Sequence, residues 1–452
     1  MKKIIIVIIT IVSQPLSAQV TLFSLQQLLD SALQNNIAIR TAQLGIKAAT
    51  EQRREAFTNY FPAVSGTAFA FKTDKGMVEL SIDPSEYITP EIGATIAQIL
   101  PVQALASLSS PLTLSMMRKG AMAGINAVQP LFTGGQIIHG NKLARLGQDV
   151  GALQLQRSED IVAAKVEEYY WQLVSLAEKQ RTLDAVDALL TDLTKDATAA
   201  VKAGLVLNND LLQVQLRQND VQSQRITIRN SEAVVRLTLS QYCGLHDPNF
   251  TIQCPTEEEF LAAALSVQPF TGGEQQALTT LPAYQLLQKQ VQAAELQQRM
   301  ERGKQLPSIA VGAGVNYHNL LDNNHVFGMI FATASVPISD WWGGSHAVRR
   351  KRLALQQAQE QLNNNAELMI INMQQTWNDV TKAQNQLKLA QQSIEQAREN
   401  LRIYTNTYRA GTATMSDLLQ AQLLYQQSRD RATDAYIALQ TALLNYRQAT
   451  GQ

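Results

Sequence analysis

The chain has 452 residues, enough for two or three ordinary globular domains, yet only 17% of them are charged. Its 38 basic residues are balanced by 38 acidic ones, which leaves no net field to draw in nucleic acid as a partner. Five scattered histidines and two cysteines offer no HExxH and no zinc-ligand spacing, and no G-x-S-x-G is present, so neither an enzyme nor a metal or cofactor site is expected.

Residues 1–18 read as a secretory signal. Lys2 and Lys3 supply the positive start, Ile4 to Val12 the apolar core, and Leu16-Ser17-Ala18 a small-residue cleavage site. That core is too short to span the ~30 Å of a bilayer interior. Leu22 to Tyr60 is expected to be helical. A strand follows at about 61–72, then an insertion at about 73–119 whose stretch Ile92 to Met117 carries no charge, then a second strand at about 120–132. Pro101, Pro111 and many Ser and Gln argue against a membrane helix in that stretch, and an ordered insertion is expected. Gly135 to Ala203 has no helix-breaking proline, and a helix of that extent is roughly 100 Å long. Leu183, Val186, Leu190, Leu193 and Ala197 give it a heptad-like seam. A rod of this kind cannot make its own core and must pack laterally, with Leu205 to Tyr242 among its candidate neighbours.

Cys243 and Cys254 flank a short segment at the junction of two halves. In a secreted chain they are expected to close a disulfide loop worth up to ~3 kcal/mol, the alternative being two unpaired buried thiols. The connecting segment 246–281 includes the acidic run Glu257-Glu258-Glu259. Ala283 to Lys304 is again helical. Strands at about 307–318 and 328–338 follow, the first with Ile309, Val311, Ala313, Val315 and Tyr317 alternating against small or polar residues. The seam Leu387, Ala390, Ile394, Ala397, Leu401, Tyr404 and Tyr408 then steps by three and four, and Thr412 to Thr450 completes the chain.

Residues 282–452 repeat 19–245. Pro130 to Gly204 is 74 residues, and so is Pro337 to Gly411; Gly204 to Gly244 is 40, and so is Gly411 to Gly451. Such a repeat fixes the architecture before any single residue does. Aromatics on or beside the strands, among them Phe61, Phe69, Phe71, Phe132, Tyr317, Phe327, Trp341 and Trp342, suit a lipid–water boundary, although an ordinary soluble sheet would use the same residues. Four strands cannot close a membrane barrel. If they are membrane strands, closure needs several chains, and three would supply twelve strands.

Two copies of helix–strand–strand–helix behind a secretion signal resemble the TolC family of outer-membrane efflux and secretion channels. The resemblance rests on Leu25 to Asn36, on Tyr60-Phe61-Pro62 and Leu306-Pro307 ahead of strands, and on Val128 to Gly135 leaving one. Ala203-Gly204-Leu205 and Ala410-Gly411-Thr412 are similar to the family's periplasmic helix tips. The resemblance implies a mainly α fold with a membrane β-barrel: a homotrimer whose twelve-stranded barrel in the outer-membrane lipid continues into a long periplasmic α-helical barrel. The insertion 73–119 would be extracellular, and 246–281 equatorial. The implied function is the passive exit duct of a tripartite efflux system, taking small molecules from an inner-membrane pump through a periplasmic adaptor protein. Type I protein secretion is one alternative, and a non-porous periplasmic coiled-coil scaffold another. By the same resemblance Asp417, Asp210 and Tyr408 form the channel gate, and Gly204, Leu205, Val206, Gly411 and Thr412 the adaptor-docking tips. Gln420 replaces a second acidic residue that family members can carry at the gate, and Ala413 replaces a basic one. Asp210 and Asp417 would also suit plain stabilisation of helix N-termini, and glycine would suit any helical reversal.

Overall fold

The computed structural model describes residues 21–83, 86, 91–92, 95, 112–204, 207–245, 247–256, 273–320 and 323–452. The expected signal 1–18, Leu205 and Val206, Glu257 to Glu259 and most of the uncharged insertion lie outside that set. The elements run β1 Thr21–Phe23, α1 Leu25–Asn35, α2 Ile37–Thr58, β2 Ala63–Lys72, β3 Val78–Ile82, β4 Leu112–Met116, β5 Lys119–Thr133, α3 Gln136–Lys202, α4 Asn208–Cys243 and β6 Phe250–Ile252. The second half follows as α5 Glu274–Thr280, α6 Pro282–Gly303, β7 Ser308–Asn319, β8 Asn324–Ser335, α7 Asp340–Arg409 and α8 Met415–Thr450. The chain divides into two compact units: residues up to 49 with 148–291 and 358–452, and residues 50–147 with 292–357.

The first unit is helical. The seam Leu183, Val186, Leu190, Leu193 and Ala197 of α3 is buried along its whole length. It packs with Val214 and Val221 of α4 and with Met415 and Leu418 of α8. A larger cluster gathers Leu28 and Ala32 of α1, Val166, Tyr170, Trp171 and Val174 of α3, Leu239 of α4, Val380 and Leu387 of α7, and Tyr436 and Leu439 of α8. Each helix presents one apolar stripe, so no stripe is buried until several helices lie side by side.

Residues 22–60 do not form one helix. Thr21–Phe23 is extended and pairs in parallel with Phe250–Ile252. Ser24 then caps α1 through a capping box with Gln27. The helix breaks at Asn36, in extended conformation, whose amide donates to the Tyr242 carbonyl (2.9 Å) and whose Oδ1 accepts from Ala38 N–H (2.8 Å). Asparagine competes well for backbone partners, and here it diverts the chain into a new helix.

The disulfide expected between Cys243 and Cys254 is not formed; both are free thiols. Cys243 ends α4 fully buried in the core beside α1, and its carbonyl accepts from Ser31 Oγ (2.9 Å). Cys254 lies beyond the β1–β6 pair, in a separate pocket shared with Glu178 and Arg181. The extended run through β6 carries the second sulfur away from the first. Burial pushes the Cys243 thiol up to about 12.

The second unit is built on an antiparallel sheet of order β2-β5-β7-β8. A second antiparallel pair, β3 with β4, lies within the insertion. The register of β5 shifts between Pro130 and Phe132, a bulge where proline has no N–H to give the ladder. Gly134 (φ +63°) and Gly135 (φ +80°) turn the chain from β5 into α3, and a Cβ on Gly134 would stand 2.0 Å from the Gly303 carbonyl oxygen. Only glycine fits that approach.

Candidate functional site: helix tips and sheet faces

At the tips, Gly204 (φ +71°) and Gly411 (φ +76°) both take the left-handed conformation that ends a helix. The repeats then diverge. Thr414 caps α8 in a capping box: Asp417 N–H donates to Thr414 Oγ1 (3.2 Å), while the Asp417 carboxylate accepts from Thr414 N–H (3.0 Å) and Thr414 Oγ1 (2.6 Å). Those hydrogen bonds to Thr414 hold the Asp417 carboxyl below its ordinary range. In the first repeat Leu207 stands where Thr414 does, and α4 starts with no side-chain cap. Asp210, the counterpart of Asp417, sits uncapped in the first turn.

Tyr408 is half-buried on the tip core formed by Leu193, Ala197, Met415 and Leu418. Burial raises its phenol pKa, and the carboxylates of Asp210 and Asp196 add to the rise. Asp210 is thus within electrostatic range of Tyr408. Asp196 of α3 is within the same range, without any motif to announce it. Asp417 is engaged with its own cap. Thr412 donates from N–H (2.9 Å) and Oγ1 (3.1 Å) to the Thr407 carbonyl, closing the turn.

Farther along the same helices lies a polar cluster that the sequence reading missed. Arg217 of α4 is largely buried; its Nε donates to Gln422 Oε1 (3.2 Å) and its Nη2 to Gln426 Oε1. Gln426 Nε2 in turn donates to Gln224 Oε1 (2.9 Å). Burial lowers the Arg217 pKa, with Asp220 opposing the shift from 3.9 Å. The available signal was Gln422 and Gln426, which continue the apolar four-residue step from Leu418 with amides.

In the sheet, register sorts the side chains into two faces. One carries Val64, Ala68, Ile125, Ala127, Ala313, Val315, Val326 and Ile330, with no charged side chain between Lys72 and Lys119 at one end and the helices at the other. Ile330 is 90% exposed, Val64 68% and Val326 65%. The opposite face holds Ser65, Thr67, His318 and His325, with Asn126 and Asn316 joined by reciprocal amide hydrogen bonds (3.3 Å each). Glycines admit the large groups there: a Cβ on Gly312 would meet the Phe331 ring at 2.2 Å. Where the sheet gives way to helix, Arg53, Arg54, Lys142 and Arg145 line a groove with Phe57, Tyr60 and Ile138. Among the described residues no helix is long and apolar enough to cross a membrane.

Comparison with known structures finds the same fold. The outer membrane protein VceC of Vibrio cholerae is 16% identical, with a TM-score of 0.71 over 94% of this chain and 96% of that one. CusC is 14% identical, with a TM-score of 0.77 over 94% and 91%. The outer membrane channel CmeC of Campylobacter jejuni is 14% identical, with a TM-score of 0.73 over 94% and 85%. Sequence comparison with curated proteins gives no significant match. The profile of the outer membrane efflux protein family matches residues 28–245 and 274–452, which spans both repeats. On that match the chain belongs to the outer membrane efflux protein family.

Proposed function

We propose that three copies of this chain form an outer-membrane duct, the passive exit of a tripartite efflux system fed by an inner-membrane pump through a periplasmic adaptor. The observation that carries this reading is the apolar, exposed face of a sheet with two open edges. Among the described residues β2 pairs only with β5, and β8 only with β7. Strand directions alternate from β2 to β8, so β8 of one copy meets β2 of the next antiparallel. Three copies close a ring of twelve strands and leave no edge. Strands of 10 to 15 residues suffice to cross the hydrocarbon when tilted. The cationic groove beside Phe57 and Tyr60 suits the phosphate layer beyond it.

At the helix tips, Asp417 supports a gate. Three such carboxylates around a constriction favour cations, and the Thr414 hydrogen bonds keep them ionised into acid. Asp210 and Tyr408 form the second contact of that gate. Gly204, Leu205, Val206, Gly411 and Thr412 are the residues assigned to receive the adaptor.

The test is extraction followed by planar-bilayer conductance. A detergent-requiring trimer with a small, cation-preferring conductance that rises or loses selectivity in Asp417→Ala supports the duct and its gate. A monomer released by osmotic shock would instead identify a periplasmic scaffold.

A further inference from the structure

The sheet register places three soft or borderline donors side by side. His318 of β7 is directly opposite His325 of β8, and on its other side directly opposite Met122 of β5. All three therefore project from one face, the face that also carries the Asn126–Asn316 pair. Cβ atoms of directly opposed residues lie about 4.5–5.5 Å apart, within reach of a shared ligand.

The two imidazole centres are 5.5 Å apart, tilted by 42°. A metal–nitrogen bond of about 2.0–2.1 Å puts each ring centre roughly 3.2 Å from the ion, so two imidazoles on one ion sit roughly 5–6 Å apart. The observed spacing falls inside that window. His318 Nδ1 is buried with no hydrogen-bond partner, and the directly opposed His325 and Met122 are exposed. No three His, Cys, Asp or Glu side chains converge on a common point among the described residues. Here the third donor is a thioether.

We propose that Met122, His318 and His325 bind a soft monovalent metal ion of the Cu(I) or Ag(I) class, one per chain. Two imidazoles and a thioether bring no negative charge, which disfavours hard cations, and thioether sulfur selects Cu(I) over zinc and harder ions. The competing account is ring packing alone, since Phe327 lies edge-on to His318 (5.9 Å) and stacked near His325 (6.2 Å).

Phenylalanine separates the two, because it keeps the ring and removes the nitrogen. The probe is Ag(I), titrated calorimetrically into the full-length, detergent-extracted protein in a Cys243→Ala/Cys254→Ala background that removes competing thiols. His318→Phe and His325→Phe are each expected to weaken binding at least tenfold, and Met122→Leu to weaken Ag(I) binding while leaving Zn(II) binding unchanged. Circular dichroism of every variant confirms that the fold is kept. Equal Ag(I) affinity in the parent and in the double histidine variant would overturn the site. Loss in the histidine variants with no effect of Met122→Leu would overturn its assignment to a soft ion.

Discussion

Arg217→Met tests whether the polar cluster between α4 and α8 holds the helices together by satisfying amides or by packing. Arg217 supplies donors to two buried amide oxygens, on Gln422 (1% exposed) and Gln426 (3% exposed). Hydrogen bonds from a charged donor contribute about 1.5–3 kcal/mol each. The sum is reduced because the variant no longer buries a guanidinium whose carboxylate neighbour, Asp220, is 3.9 Å away and mostly exposed. A net loss of about 2–4 kcal/mol is expected, since the methionine stem fills much of the space while two amide oxygens lose partners. Gln422 Nε2 is already buried without a partner, so the amide has little to gain by turning over. Replacing all three members, as Arg217→Met/Gln422→Leu/Gln426→Leu, removes the two unmet oxygens and should recover part of the loss, the remainder being the hydrogen bond that Asp430 loses with Gln426. Apparent melting in detergent, followed by far-UV circular dichroism at one scan rate, ranks the three proteins. A single variant as stable as the parent, or a triple variant less stable than the single, refutes the satisfaction argument.

Four further outcomes are expected. Thr414→Ala should cost about 0.5–2 kcal/mol through loss of the cap, read as faster amide exchange in the first turn of α8, whereas Leu207→Thr in the uncapped first repeat should slow exchange there. The depressed Asp417 carboxyl stabilises the fold above its unfolded value of 3.8 and loses that contribution as pH falls through the lower folded value. Melting curves of Asp417→Asn and parent should therefore draw together as pH is lowered below 3.8, and divergence there would reverse the assigned sign. Gly312→Val drives a branched side chain into the Phe331 ring and should cost at least about 1–3 kcal/mol, with partial recovery in Gly312→Val/Phe331→Ala; detergent-stable assembly on gels reads both. Finally, Cys243 should resist thiol reagents at pH 8 until the chain unfolds, and migration should be identical with and without reductant; a faster non-reduced band would show a disulfide after all.

Periodicity alone determined much of this protein. The seam on α3, the duplicated glycine tips and the alternation in β7 are local patterns, because a 3.5- or 2-residue period states which face must be covered whatever covers it. The family resemblance was legible for the same reason: order and spacing of landmarks survive when pairing partners are unknown. What the tertiary structure decided depends on residues far apart in sequence. Asn36 breaks a helix because the Tyr242 carbonyl is beside it, and Cys243 is unpaired with Cys254 because α1 buries it while β1 draws β6 past it. Arg217 is tolerable inside because two glutamines some two hundred positions away accept its hydrogen bonds. The same holds for Asp196 beside Tyr408 and for Met122, His318 and His325 in one row. A sequence names the donors and acceptors. Which of them meet is set by strand register and helix packing, and those are fixed only when the whole chain has folded.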